Sequence, residues 1–260
     1  MERVAFSIFG IDVMWYGIII CTGTIIALLL SQYTSKLKNI DYDDVLTIFL
    51  VTFPLSIVGA RLYYVIFEFE QFRGNLMQIF NIRTGGLAIH GAIITTVIVV
   101  YLFARKKNLK LLRCMDVAAP CIILAQAIGR WGNFFNQEAH GGPVTEAFIS
   151  RFPEFIQKGM LIGGTYYHPT FLYESIWDLI VFFVLFYMIH KIKEDGVVFL
   201  SYLGLYSLGR FFIEGLRTDS LMIGGLRMAQ IISLVGIVIC IIGIIIIYRN
   251  KKKDNNIALK

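Results

Sequence analysis

Fourteen residues from Gly129 to Gly142 read GRWGNFFNQEAHGG and bring together an arginine, two asparagines, a glutamine, a glutamate, a histidine and four glycines. Arg130 and Asn133 are three apart, a spacing that shares one helical face. A guanidinium binds phosphate through two parallel hydrogen bonds, and asparagine or backbone amides add neutral donors. Asn136 and Glu138 follow at the expected helix end, which Gly141 and Gly142 are expected to break. Glu138 is placed to hold Arg130 or to bind a hydroxyl. The set suits a phosphate or a polar headgroup; the plainer alternative is a cap network anchoring a loop.

Two further stretches carry chemistry. In LYSLGRFFIEGLRTD, the residues Tyr206, Arg210, Glu214 and Arg217 fall at i, i+4, i+8 and i+11. On a helix they form one polar stripe, which marks an interior cavity unless the Arg210–Glu214 pair only stitches helices together. In RTGGLAIHGAI, His90 lies between Gly86 and Gly91. Glycines let a ligand or another backbone approach closely, and histidine is the side chain best suited to take a proton near neutral pH. Trp15 and Tyr16 in VMWYG suit an aromatic belt, with Tyr16 as a site residue the sharper reading.

The elements that must position these groups are membrane helices. The 260 residues are 57% hydrophobic and only 16% charged, where a soluble domain carries about a quarter charged residues. The apolar residues come in blocks: roughly 13–33, 45–67, 88–104, 114–129, 171–190, 197–215 and 229–248. Each is near the ~20 residues needed to span, the third and fourth being short enough to be tilted, broken or re-entrant. A barrel would alternate, and IISLVGIVICIIGIIIIY does not. The expectation is an all-α integral membrane protein: one polytopic domain over 1–260, with seven transmembrane helices. A small extracytoplasmic cap, residues 130–170, is expected between the fourth and fifth.

The net charge of +6 does not point to nucleic acid, because the cations cluster between spans. SKLKN, RKKNLKLLR, HKIKEDG and RNKKKD all fall on one face, cytoplasmic by the positive-inside rule. The N-terminus is then outside, with MERVAFSIFGID along the outer surface, and the C-terminus inside. No removable leader is expected. Arg61, Arg83, Arg130, Arg210 and Arg217 break the pattern by falling near the outer side, where charge is costly unless paired or functional. Cys21, Cys114, Cys121 and Cys240 form no CxxC pair and read as small buried hydrophobes, so no metal site is expected. No internal repeat is visible. Physical chemistry alone suggests an enzyme or binder acting on an anionic lipid from the outer side. The rivals are a non-enzymatic lipid transporter or flippase, which would show charges on both sides of the midplane, and a lipid phosphatase or phosphotransferase. The latter would need a carboxylate–metal cluster or a phosphorylated histidine, for which neither spacing is present.

GRWGNFFNQEAHGG resembles the signature of the bacterial prolipoprotein diacylglyceryl transferases, G-R-x-G-N-F-x-N-x-E-x-x-G, with every fixed position present. GGLAIHG, GRFFIEGLRTD and WYG resemble further segments of that family, in order along nearly the whole chain. The resemblance implies transfer of the sn-1,2-diacylglyceryl group of phosphatidylglycerol to the lipobox cysteine thiol of a prolipoprotein signal peptide. A thioether forms and glycerol phosphate leaves, without metal or cofactor, as the first step of lipoprotein maturation in the bacterial inner membrane. Carried onto this chain, Arg130 binds the lipid with Asn133, Glu138, Gly141, Tyr16 and Tyr206, while His90, Arg210 and Glu214 act in catalysis.

Overall fold

The computed structural model describes residues 2–82 and 85–258. Arg83 lies outside them. A hairpin of β1 (Val4–Ile8) and β2 (Ile11–Met14) leads into α1 (Trp15–Leu37). Then come α2 (Tyr42–Phe67), α3 (Ile89–Lys106) and α4 (Leu111–Asn136). An insert follows with β3 (Pro143–Val144), α5 (Glu146–Ile149), α6 (Glu154–Met160), β4 (Leu161–Ile162) and β5 (Thr165–Tyr167). The chain ends with α7 (Thr170–Lys191), α8 (Val197–Glu214), a short hairpin of β6 (Met222–Ile223) and β7 (Leu226–Arg227), and α9 (Met228–Ala258).

Seven of these helices are long and apolar enough to cross a membrane, so the chain is a multi-pass membrane protein. The fourth is neither short nor broken. It runs unbroken for 26 residues, with Pro120 inside it, and carries the signature through Asn136 as helix. The helix is not ended by Gly141 and Gly142. Gln137 ends it by turning left-handed at φ 54°, with its N–H to the Phe134 carbonyl and the Glu138 N–H to the Asn133 carbonyl. These two bonds satisfy two of the four carbonyls left open at the helix end, with a left-handed geometry usually given to glycine.

The residues form two compact units: those up to Leu37 with those from Met115 on, and Lys38–Cys114. In the first unit, small residues set the helix spacing, as expected where lipid removes the hydrophobic drive between helices. A Cβ on Gly132 would lie 2.8 Å from the Tyr16 ring, and one on Gly204 would lie 2.5 Å from Cys240 Sγ. At the far end of α1, the buried Thr34 hydroxyl donates to the Val117 carbonyl at 3.0 Å. Cys114 and Cys121 are buried and Cys240 half-buried, as small hydrophobes are; Cys21 is exposed. In the insert, β5 is the middle strand of a three-stranded antiparallel sheet. Ile149, Ile156 and Met160 of the insert pack with Phe134 and Phe171, and the Phe134 and Phe171 rings lie tilted at 31° with 4.6 Å between centroids.

The first turn of α8 is capped from a distance. Gly196, left-handed at φ 96°, offers no side chain for its open N–H groups. Asp116 of α4 takes that role. It is fully buried and accepts from Gly196 N at 2.8 Å and Phe199 N at 2.9 Å. Asp116→Ala is expected to cost about 2 kcal/mol, the upper range for a lost cap, because those donors would stay buried. A thermal melt in detergent checks it; a melting temperature within a degree of the parent would refute the cap's importance.

The second unit packs α2 against α3 through Gly59 and Gly91, whose missing side chains let the backbones meet. At the end of α2, Arg61 is 7% exposed and spends its guanidinium on five backbone carbonyls: Gln78, Ile79, Asn81, Gly85 and Gly86, at 2.6–3.1 Å. A guanidinium has five N–H donors, so Arg61 has none left for a substrate. This arginine is explained by folding, because it ties the connection between α2 and α3.

Candidate functional site

The site in the first unit is built where α4, α7 and α8 present charge to one another. Its centre is a residue that sequence reading missed. Glu174, one turn into α7, places Oε2 2.5 Å from Arg130 Nε and Oε1 2.6 Å from Arg210 Nη1. Arg210 Nη2 in turn lies 2.6 Å from Glu214 Oε2, one helical turn on. The Arg210–Glu214 pair thus stays within one helix, and Glu174 is what ties helices together. Arg130 is held by Glu174 and not by Glu138. Glu138 instead accepts from Asn133 Nδ2 at 3.1 Å and Asn136 Nδ2 at 3.2 Å. Two of the signature's polar residues therefore order its own helix end. Tyr206 stacks on Tyr202 and receives a long hydrogen bond, 3.4 Å, from Arg130 Nη2.

Arg217 lies three residues beyond the end of α8, yet joins the same cluster. Its Nη1 is 3.9 Å from Glu174 Oε1 and its Nε 4.0 Å from Glu214 Oε2. Its outer edge forks onto Asp219 at 2.9 and 2.7 Å. Backbone stitching holds this segment. Gly142 N–H donates to the Leu216 carbonyl and Gly141 N–H to the His168 carbonyl, both at 3.0 Å. A Cβ on Gly141 would lie 2.6 Å from His168 Cβ, so only glycine fits there. Arg227 donates to the Glu214 and Arg217 carbonyls from the following hairpin.

The hydrogen bond and charge of Arg217 hold the Asp219 carboxyl below the usual carboxylate range. The stabilisation from such a depressed carboxyl is present above its unfolded value, near pH ~4, and is lost only as pH falls through the lower folded value. Asp219→Asn is therefore expected to leave the shape of the pH–rate profile unchanged between about pH 5 and 9. A new inflection in that window, read from initial rates, would contradict this.

Exposure sorts the charges. The Arg130, Arg210 and Arg217 side chains are 12–19% accessible, whereas Glu174 and Glu214 are 4–6% accessible. The guanidiniums stand in front and the carboxylates behind, so an entering anion meets donors first. The ion-pair contacts at Glu174 Oε2 and Glu214 Oε2 are not aligned hydrogen bonds, and these oxygens have no such partner. Asp178, one turn deeper on α7 and 2% exposed, also keeps Oδ2 without a hydrogen bond. It feels both Arg130 and Arg210 electrostatically. Buried ion pairs of this kind contribute little net stability against an apolar core. A cluster this dense inside a membrane segment is a candidate binding site.

Tyr16 sits on the face of α4 where Gly132 leaves room for its ring. His90, the second residue of α3, belongs to the other unit. It is exposed and stacks on Tyr63 at 5.9 Å between centroids. Glu174 and Asp178 had one signal in the sequence, two carboxylates four apart inside an otherwise apolar span.

The family model for prolipoprotein diacylglyceryl transferase matches residues 3–246. A phosphatidylglycerol–prolipoprotein diacylglyceryl transferase of Clostridium botulinum is 57% identical over 253 residues, covering 97% of this chain and 100% of that protein. A second from that species is 58% identical over 250 residues, 96% of this chain and 100% of its own length. The protein of the same description from Clostridium kluyveri is 56% identical over 241 residues, 93% of this chain and 94% of that one.

Proposed function

The chain belongs to the prolipoprotein diacylglyceryl transferase family, and on that premise we propose that it moves the diacylglyceryl group of phosphatidylglycerol to the lipobox cysteine of a prolipoprotein. The observation that carries the reading is Glu174 holding Arg130 and Arg210 side by side, with Arg217 in the same cluster. That arrangement fits a phosphate with developing negative charge.

The chemistry is displacement at carbon. The cysteine sulfur attacks the glyceryl carbon, a C–S bond forms, the C–O bond to phosphate breaks, and glycerol phosphate leaves. The phosphate already carries charge, and the departing oxygen gains more as the bond breaks. Arg130 and Arg210, fixed in advance by Glu174, lower that charge's energy without rearranging at the moment of reaction. Tyr206 and Tyr16 complete the lipid side of the site, with Asn133, Glu138 and Gly141 keeping the signature in shape. A free thiol, pKa about 8.5, is mostly protonated at neutral pH and must lose its proton to attack. His90 is the proposed acceptor. His90→Ala is expected to lower turnover by about a hundredfold, the usual scale for losing a general base. Turnover within a few-fold of the parent would move that role elsewhere.

The basic loops support an N-terminus outside and a C-terminus in the cytoplasm. The site and the 130–170 cap then face the outer side of the bacterial inner membrane, where a signal-peptide cysteine emerges. The deciding experiment mixes purified protein with phosphatidylglycerol and a synthetic lipobox peptide. Glycerol phosphate release with a matching mass gain on the peptide cysteine is expected. Well-folded protein that yields neither product would overturn the reading in favour of lipid transport.

A further inference from the structure

The N-terminal hairpin has no role in the site just described, yet its construction is unusual. Phe6 pairs with Val13 and Ile8 with Ile11, and alternation puts these four side chains on one face. Phe6, Ile8 and Ile11 are exposed. The opposite face is polar, where the Ser7 hydroxyl donates to Asp12 Oδ1 at 2.5 Å. The strands therefore form a small amphipathic sheet whose apolar side is uncovered. A lone two-stranded hairpin is barely stable in water, and neither core cluster of the described residues includes this one.

The tip adds an independent observation. Phe9 and Gly10 both take positive φ, 51° and 78°, the two-residue turn that sequences normally fill with Asn-Gly. Here a bulky aromatic occupies the strained first position, and it is 101% exposed. Water disfavours the exposed ring and the backbone disfavours the residue. An apolar surrounding offsets both. The hairpin also runs without a break into α1, with Trp15 N–H bonded to the Arg3 carbonyl. Its apolar face is thus continuous with a membrane-spanning helix that begins with Trp15 and Tyr16, residue types at home at the lipid headgroups.

We infer that the β1–β2 hairpin is a lipid-surface anchor, with Phe9, Phe6, Ile8 and Ile11 inserted at the headgroup–acyl boundary of the bilayer. Its consequence for the reaction runs through Tyr16, two residues after the hairpin and packed on Gly132 beside Arg130. The anchor sets the depth of the start of α1 and so keeps the arginines level with the phosphates. The outer leaflet as the one touched, and the consequence for turnover, rest on the function and orientation proposed above. The lipid contact itself does not.

Replacing Phe9 with the photoreactive aromatic p-benzoylphenylalanine tests the contact. The full chain is placed in vesicles of phosphatidylglycerol and phosphatidylethanolamine with a lipobox peptide, irradiated, and analysed by mass spectrometry. Lipid adducts at position 9 are expected, and they form whether or not the protein turns over. Adducts to the peptide in place of lipid, or no lipid adduct in well-folded protein, overturn the inference. Phe9→Asp gives the kinetic arm. It is expected to raise KM for phosphatidylglycerol about fivefold in vesicles, as an interfacial contact is lost, with kcat unchanged and no effect on a short-chain phosphatidylglycerol in detergent. Equal KM values for Phe9→Asp and the parent in vesicles would refute the depth-setting role.

Discussion

Glu174→Ala is expected to be the most damaging single change in this protein, lowering both thermal stability and turnover. Glu174 is one buried carboxylate between two half-buried guanidiniums, 2.5 Å from Arg130 and 2.6 Å from Arg210. Removing it leaves Arg130 without its carboxylate and Arg210 with Glu214 alone, while the two positive charges still face each other. Breaking a buried pair by deleting one partner costs about 3–5 kcal/mol. The catalytic effect follows from the same geometry, since the arginines would separate and lose their preset spacing. A fall of about a thousandfold in turnover matches the loss of a preorganised oxyanion-stabilising group. Glu174→Gln preserves size and one acceptor, so it should recover part of the stability and little of the rate. Glu214→Ala should cost less than Glu174→Ala, because Glu214 makes one close arginine contact, at 2.6 Å, in place of two. The checks are melting temperature in detergent and initial rates with phosphatidylglycerol and a lipobox peptide. Equal damage from the two alanine variants would show that Glu174 is not the organising residue.

Arg130→Ala should lower kcat/KM for phosphatidylglycerol by about a thousandfold, equivalent to ~4 kcal/mol of transition-state stabilisation. The Arg130 side chain is 19% accessible, so its interaction with an incoming phosphate is less screened than at an open surface. Arg130→Lys separates charge from shape. Lysine restores the charge but lacks the planar fork that binds Glu174 through Nε and leaves other N–H groups for the ligand. It should remain at least about a hundredfold below the parent. Full rescue by lysine would mean that position 130 supplies only a positive point charge. Rates for Arg130→Ala that match the parent at limiting lipid would remove Arg130 from the headgroup site.

Local spacing was enough to identify what can be decided within one helix. Long apolar blocks announce membrane helices because about 20 residues must cover the hydrocarbon, whatever the rest of the chain does. Tyr206, Arg210 and Glu214 share a stripe because 3.6 residues make a turn, and the structure keeps the Arg210–Glu214 pair on it. Arg130 stood out as a costly charge at a span's end, and the motif pattern around it identified the family. Tertiary structure decided the partners. Glu174 joins arginines 44 and 36 residues away from it in the chain, a meeting set by how α4, α7 and α8 pack and by no local periodicity. Arg61 and Arg130 look alike in sequence, as outward arginines at the ends of apolar spans. One spends its donors on backbone carbonyls, while the other is paired to a carboxylate beside Arg210. The same holds for the glycines. Gly132 and Gly141 are needed because of what comes close to them, Tyr16 and His168, and those neighbours arrive from distant segments. Charge and hydropathy are properties of the chain, and they were legible. Which charges neutralise one another depends on three-dimensional neighbours, because a buried ion is tolerated only where its counter-ion can reach it.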